Sequence, residues 1–242
     1  MSSQLIFGRS VRSIVRSLQN AIKNIAFGAH STRAGVLFCL AVLGLTACAG
    51  LQPPSRPVVY DFGPGLVAGA DGERLAQLPP LVLAEVESTV ALDSTALWYR
   101  LAYSDAQQLR AYSLARWSMT PAQLVRQRLR EQIGQRRTVL QAALGIGPSA
   151  STMTLHIELD EFSQLFDSPQ RSAGLVRMRA TLGKISGGIE RLVAQRNFAV
   201  QRPSSSADAG GGVHALSLAT DAAIQEIDTW LQQVESGQLK PN

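Results

Sequence analysis

The chain has 242 residues with 23 Lys and Arg against 18 Asp and Glu, a formal charge of +5 and a pI near 9.7. That balance would suggest a nucleic-acid or anionic-membrane partner. However, Arg9, Arg12, Arg16, Lys23 and Arg33 precede residue 48 with no acid among them, so 18 basic and 18 acidic residues remain beyond it. The excess belongs to the N-terminal segment, nucleic-acid binding loses its support, and a 45% apolar composition argues for a packed core over disorder.

Residues 1–33 carry basic groups at roughly helical spacing. They read either as a segment lying on an anionic membrane face or as sequence upstream of a leader that begins nearer Arg33. Ala34–Leu45 is an apolar run of 12 residues, too short for the roughly 20 of a membrane-spanning helix but suited to a secretory signal. It ends in Leu45-Thr46-Ala47-Cys48, which resembles the lipobox of bacterial lipoproteins. There a signal peptidase cuts before the cysteine, whose sulfur takes the lipid. Cys39 would leave with the leader, so Cys48 would be the one cysteine retained and no intramolecular disulfide can form. Ala49 follows Cys48 where an Asp retains enterobacterial lipoproteins at the inner membrane, which favours the outer membrane. The expected organisation is a removed leader at 1–47, a Pro-rich tether at 48–57 and one domain of about 185 residues at 58–242.

Val58–Phe62 reads as a first strand closed by Gly63-Pro64-Gly65, and 65–77 as a loop. Leu81–Val86 is an apolar run typical of a buried strand. Ala96–Tyr103 and Gln108–Trp117 form a predicted hairpin about Ser104–Gln107. Thr120-Pro121-Ala122-Gln123 carries the chemistry of a helix start: a capping hydroxyl, a proline at the first helical position and a glutamine to complete a capping box. The helix runs to about Ile133, with Ala122, Val125, Leu129 and Ile133 on its apolar face. Arg126, Arg128 and Arg130 read as solvated surface, with a basic partner-binding patch as the alternative.

Gly134 ends this helix, and a short strand is expected within 137–142. Met153–Leu159 alternates, with a shift of register expected near Glu161-Phe162. Val176, Met178, Ala180 and Leu182 alternate again, turn at Ser186–Ile189 and return through Leu192, Ala194, Phe198 and Val200. Residues 203–212 read as a flexible loop, and Val213–Val234 as an amphipathic helix. The sum predicts an α+β fold: an antiparallel-rich sheet of about eight strands with two main helices packed on one face.

Catalytic patterns are absent from the sequence. His30, His156 and His214 are not paired at metal-ligand spacing. His156, Glu158 and Asp160 are either the wet face of a strand or a cation or acid–base group. Gly183-Lys184 has Met178 where a phosphate loop needs its first glycine, and Ile185 in place of Ser or Thr; Gly145-Ile146-Gly147-Pro148 lacks a third glycine. No serine lies in G-x-S-x-G. A non-enzyme without cofactor or metal is expected.

Trp98-Tyr99-Arg100, Tyr112-Ser113-Leu114-Ala115-Arg116-Trp117 and Pro121 with its helix to Leu129 resemble the ABC-type transport auxiliary lipoprotein family. The order extends from Tyr60 through Ile157–Phe162 to the helix holding Ala222-Ala223 and Trp230. Thr120 stands where members often carry a proline, and the leader is longer than usual. The resemblance implies a periplasm-facing, outer-membrane-anchored component of an MCE (mammalian cell entry) lipid-transport system. Its partners would be an MCE-domain protein and, through it, an inner-membrane permease and ATPase. Homo-oligomerisation stays open, and a pilot or scaffold lipoprotein of another envelope complex is the competing reading. Trp98, Tyr112 and Trp117 are either core aromatics or a partner-binding surface.

Overall fold

Sixteen-residue strand β6 (Met153–Ser168) is the axis of the molecule. The computed structural model describes residues 56–65, 77–141, 152–186 and 189–238. Leader, lipobox, most of the tether, the loop at 66–76, Gly145–Pro148 and the turn glycines Gly187 and Gly188 lie outside the described residues.

Along one edge of β6 runs β7 (Arg171–Ser186), antiparallel over its whole length, followed by antiparallel β8 (Ile189–Pro203). The opposite edge is shared. β2 (Leu81–Ser88) pairs parallel with the first half of β6, from Leu81↔Met153 to Ser88↔Leu159. β3 (Ala96–Leu101) pairs parallel with the second half at Tyr99↔Gln164. β5 (Val139–Gln141) extends the β2 side in parallel, while β4 (Ala106–Trp117) returns antiparallel from β3 and carries β1 (Val58–Tyr60) parallel on its far edge.

The fold class is therefore α+β with an eight-stranded sheet; its long pairings are antiparallel, as expected, and its shorter ones parallel, so the sheet is mixed rather than purely antiparallel. Both expected hairpins are antiparallel; the parallel pairings join strands far apart in sequence. Alternating side chains report which face of a strand is buried, and they carry no information on a neighbour's direction.

The predicted β3–β4 turn contains one helical turn, α1 (Ala102–Asp105). α2 (Pro121–Ile133) starts as its sequence dictates: the Thr120 hydroxyl accepts from the Gln123 N–H at 3.4 Å, and the Gln123 amide oxygen accepts from the Thr120 N–H at 3.1 Å. Val125, Leu129 and Ile133 are buried as expected; Leu124 joins them and Ala122 is only half-covered.

α3 (Ala209–Glu235) begins four residues before the expected start. Asp208 caps it, accepting from the Gly211 N–H at 2.8 Å, and the three glycines form its first turn rather than a loop. A close approach requires one of them: a Cβ on Gly212 would lie 2.1 Å from Gln164 Oε1. Farther along, Gly174 of β7 lets the backbone of α3 touch the sheet, because its Cβ would stand 2.5 Å from the Leu216 nitrogen.

α2 packs against β2 and α3, and α3 lies across β6, β7 and β8. Inward residues of the sheet and both helices form one hydrophobic cluster, including Leu155, Ile157, Met178, Leu182, Phe198, Leu216, Ile227 and Trp230. The expected register shift occurs between Leu159 and Glu161 and returns Phe162 to the core. A second shift, between Leu182 and Gly183, leaves Val193 unpaired. It turns Leu192 out of the expected inward series to 64% exposure, whereas Phe198 and Val200 remain buried.

Candidate functional site

The three aromatics singled out in the sequence occupy separate environments. Trp117, 1% exposed, packs edge-on to Phe62 at 5.7 Å between ring centroids and lies 5.6 Å from Phe162. It presents no surface to a partner. Tyr112 stacks at a tilt on Tyr99 at 4.6 Å, and its hydroxyl donates to Gln164 Oε1 at 2.8 Å. The Gln164 amide nitrogen donates in turn to Ser172 Oγ at 2.7 Å. Burial, reinforced by Tyr99 and Asp208, pushes the Tyr112 phenol up, so it stays a neutral donor. Trp98 is half-buried at the margin of the core, and its indole N–H is enclosed without an acceptor among the described residues. No two of these three rings touch each other among the described residues.

The row containing His156 and Glu158 is laced to neighbouring strands. His156 Nε2 meets Glu190 Oε1 at 2.9 Å across β7, and Arg179 donates to Glu158 at 3.2 Å and to Asn197 at 3.2 Å. Asp160 is the extra residue at the register shift and does not join them. These cross-strand pairs account for the polar row as sheet surface. Among the described residues, no cluster of His, Cys, Asp and Glu is arranged to hold a metal ion.

Arg100 makes a forked pair with Glu161, at 3.1 Å through Nε and 3.0 Å through Nη2, and donates to the Ala106 and Gln107 carbonyls. Ser163 Oγ completes the carboxylate's partners at 2.6 Å. The fork ties β3, the start of β4 and β6 together, and its planar geometry makes Arg rather than Lys the residue suited to it.

A basic surface over all of 126–130 is corrected by the position of Arg128, which is 7% exposed. Its guanidinium donates to the Phe62 carbonyl at 2.7 Å and pairs with Asp221 at 3.2 Å and Glu131 at 3.5 Å. The long apolar stem lies among buried neighbours while the head joins α2 to α3 and to the segment after β1. Burial pushes the Asp221 carboxyl up, opposed by Arg128 and by a hydrogen bond from Gln132. Arg137 plays the same part at the other end of the helix pair: fully enclosed, it binds Glu235 at 2.5 Å and Asp228 at 3.7 Å. Arg126 and Arg130 are left on the open side of α2. The sequence signal for this difference was weak: Leu124 and Val125 place position 128 beside the apolar stripe, but an arginine there reads as surface unless other elements supply its acceptors.

The candidate lipid attachment residue Cys48 and the flanking Leu45, Thr46 and Ala47 lie outside the described residues. No described helix is long and apolar enough to cross a membrane.

A family model described as the ABC-type transport auxiliary lipoprotein component matches residues 61–228. The chain is also similar to the crystal structure of a protein from Xanthomonas campestris, with 19% identity, a TM-score of 0.57, and coverage of 76% of this chain and 97% of that one. A second crystal structure, of an uncharacterized protein, is similar at 13% identity and a TM-score of 0.54, covering 73% of this chain and 99% of that one. These two likenesses concern the fold. A search of the curated proteins finds no match.

Proposed function

This chain belongs to the ABC-type transport auxiliary lipoprotein family, and from that premise we propose that it is the non-catalytic auxiliary subunit of an MCE-type lipid transport system. In this reading it is lipidated at Cys48, held at the outer membrane and faces the periplasm, where it docks an MCE-domain protein. An inner-membrane permease and ATPase supply the driving force through that partner.

One observation carries the reading: the family match spans 61–228, directly downstream of the lipobox at 45–48 and a short proline-rich connection. The anchor has a physical rationale. Each buried CH₂ of an attached acyl chain contributes about 0.8 kcal/mol, so a diacylglyceryl group with an amide-linked acyl chain makes release negligible. Ala49 supports the outer rather than the inner membrane. An auxiliary, binding role also suits side chains engaged in packing and ion pairing: Tyr112, His156, Glu161 and Arg137 all serve the fold.

The test is purification of the C-terminally tagged, full-length protein from native membranes in mild detergent, beside Cys48→Ser. The expected result is an MCE-domain protein recovered with the wild type and greatly reduced with Cys48→Ser. Recovery of a secretin or outer-membrane barrel without an MCE protein would replace transport by the scaffold reading.

A further inference from the structure

On the open side of α2, the helix, the turn after it and the residues leading into β5 enclose an open groove of about 850 Å³. Its charge is one-sided. Arg126, Arg130, Arg136 and Arg137 line it, against the single carboxylate of Glu131. That carboxylate is engaged by Arg128, and the Arg137 charge is answered by Glu235 and Asp228. Three cations remain. Arg130 has no carboxylate partner among the described residues, and Arg136 has only the neutral Gln232 amide as side-chain acceptor, at 3.3 Å. Arg126 meets Glu85 at 2.8 Å, but that carboxylate is 74% exposed and such pairs contribute little and exchange readily. The Nε atoms of Arg126 and Arg136 are both enclosed without an acceptor among the described residues.

We propose that this groove is the docking site for an acidic, extended segment of a protein partner. The rest of the lining distinguishes a peptide from a lipid. Four glutamines border the groove, supplying amide donors and acceptors matched to a peptide backbone, while only Met119 and Val139 are apolar. An acyl chain would find little to pack against; carboxylates on an extended backbone find both guanidinium forks and amides. β5, on one wall, hydrogen-bonds to β2 alone among the described strands. The assignment rests on the auxiliary-subunit reading for the identity of the partner, and not for the chemistry of the groove.

Two measurements separate those dependencies. The first follows fluorescence anisotropy of a labelled ten-residue peptide alternating glutamate and serine, titrated with the full lipidated protein in detergent. Lysine–serine peptide and glycerol phosphate serve as controls. Saturable, salt-sensitive binding of the acidic peptide alone is expected, weakened about tenfold in R130E/R136E. Arg130→Glu by itself, at an exposed position with no carboxylate partner among the described residues, should weaken binding several-fold and leave thermal unfolding unchanged, so loss of folding in the double variant cannot decide the matter. Equal binding of both peptides, effective displacement by glycerol phosphate, or no binding would overturn the proposal. The second repeats the membrane co-purification with R130E. Retention of the MCE-domain protein at wild-type yield overturns the groove as its docking site while leaving the auxiliary role intact; absence of that protein from the wild type counts against the auxiliary role instead.

Discussion

At Asp208 one carboxylate organises the start of a 27-residue helix. The Gly211 N–H, the Ser206 hydroxyl and the Gly210 N–H hold its pKa below the ordinary carboxylate value. A lowered folded-state pKa means that the unfolded chain binds the proton more tightly, so the cap stabilises above about pH 4 and its contribution fades as pH falls through the folded pKa. Asp208→Ala should cost about 1 kcal/mol at pH 7, and the gap from wild type should narrow in acid. Urea unfolding at pH 7 and near pH 3 measures both; a gap that widens in acid would contradict this assignment. The cap was legible in type, since Asp before a helical pattern is a start signal, but Gly210–Gly212 masked it. Three glycines read as a loop until Gln164 and Ser206 are seen pressed against them. Arg128 was illegible for another reason. Its burial depends on Asp221 and the Phe62 carbonyl, both more than sixty positions away, and a helical period cannot register acceptors supplied by other elements.

Between elements, the α3 backbone presses directly on β7 at Gly174. A methyl group there would fall 2.5 Å from the Leu216 nitrogen and 2.6 Å from the Ala215 carbonyl carbon, backbone atoms that cannot rotate away. Gly174→Ala should therefore displace the helix and destabilise the fold by about 1–3 kcal/mol, read from the denaturation midpoint; an unchanged midpoint would show that the helix slides at no cost. Hairpins and the capped start of α2 were the readable elements because their signals are local: Thr120, Pro121 and Gln123 sit within one turn. Bulges divided. The shift at Glu161 shows as a break in alternation between Leu159 and Phe162, whereas Val193 lies in a continuous apolar run with Leu192 and Ala194 that supports either phase.

For the whole molecule, the class and element order followed from the sequence, and the sheet's branching did not. β2 and β3 divide one edge of β6 because β6, at 16 residues, is about three times as long as a typical strand. Neither β2 nor β3 carries a mark of the half it joins. The aromatic residues behaved similarly: Trp98, Tyr112 and Trp117 belong to one recognisable sequence block but disperse into a core margin, a polar contact and a core centre. The surface most suited to a partner instead follows α2 and the turn after it, where the arginines left outside the helix-pair contacts gather.

The most direct measurement of the proposed role is lipid movement itself. Donor vesicles would carry the ATPase, permease and MCE-domain protein recovered with this chain, and acceptor vesicles the lipidated chain, with a fluorescent phospholipid reporting exchange between them. The auxiliary-subunit account predicts ATP-dependent exchange that falls to background when the acceptors lack the chain or receive unlipidated Cys48→Ser. Equal exchange with and without the lipidated chain would contradict it.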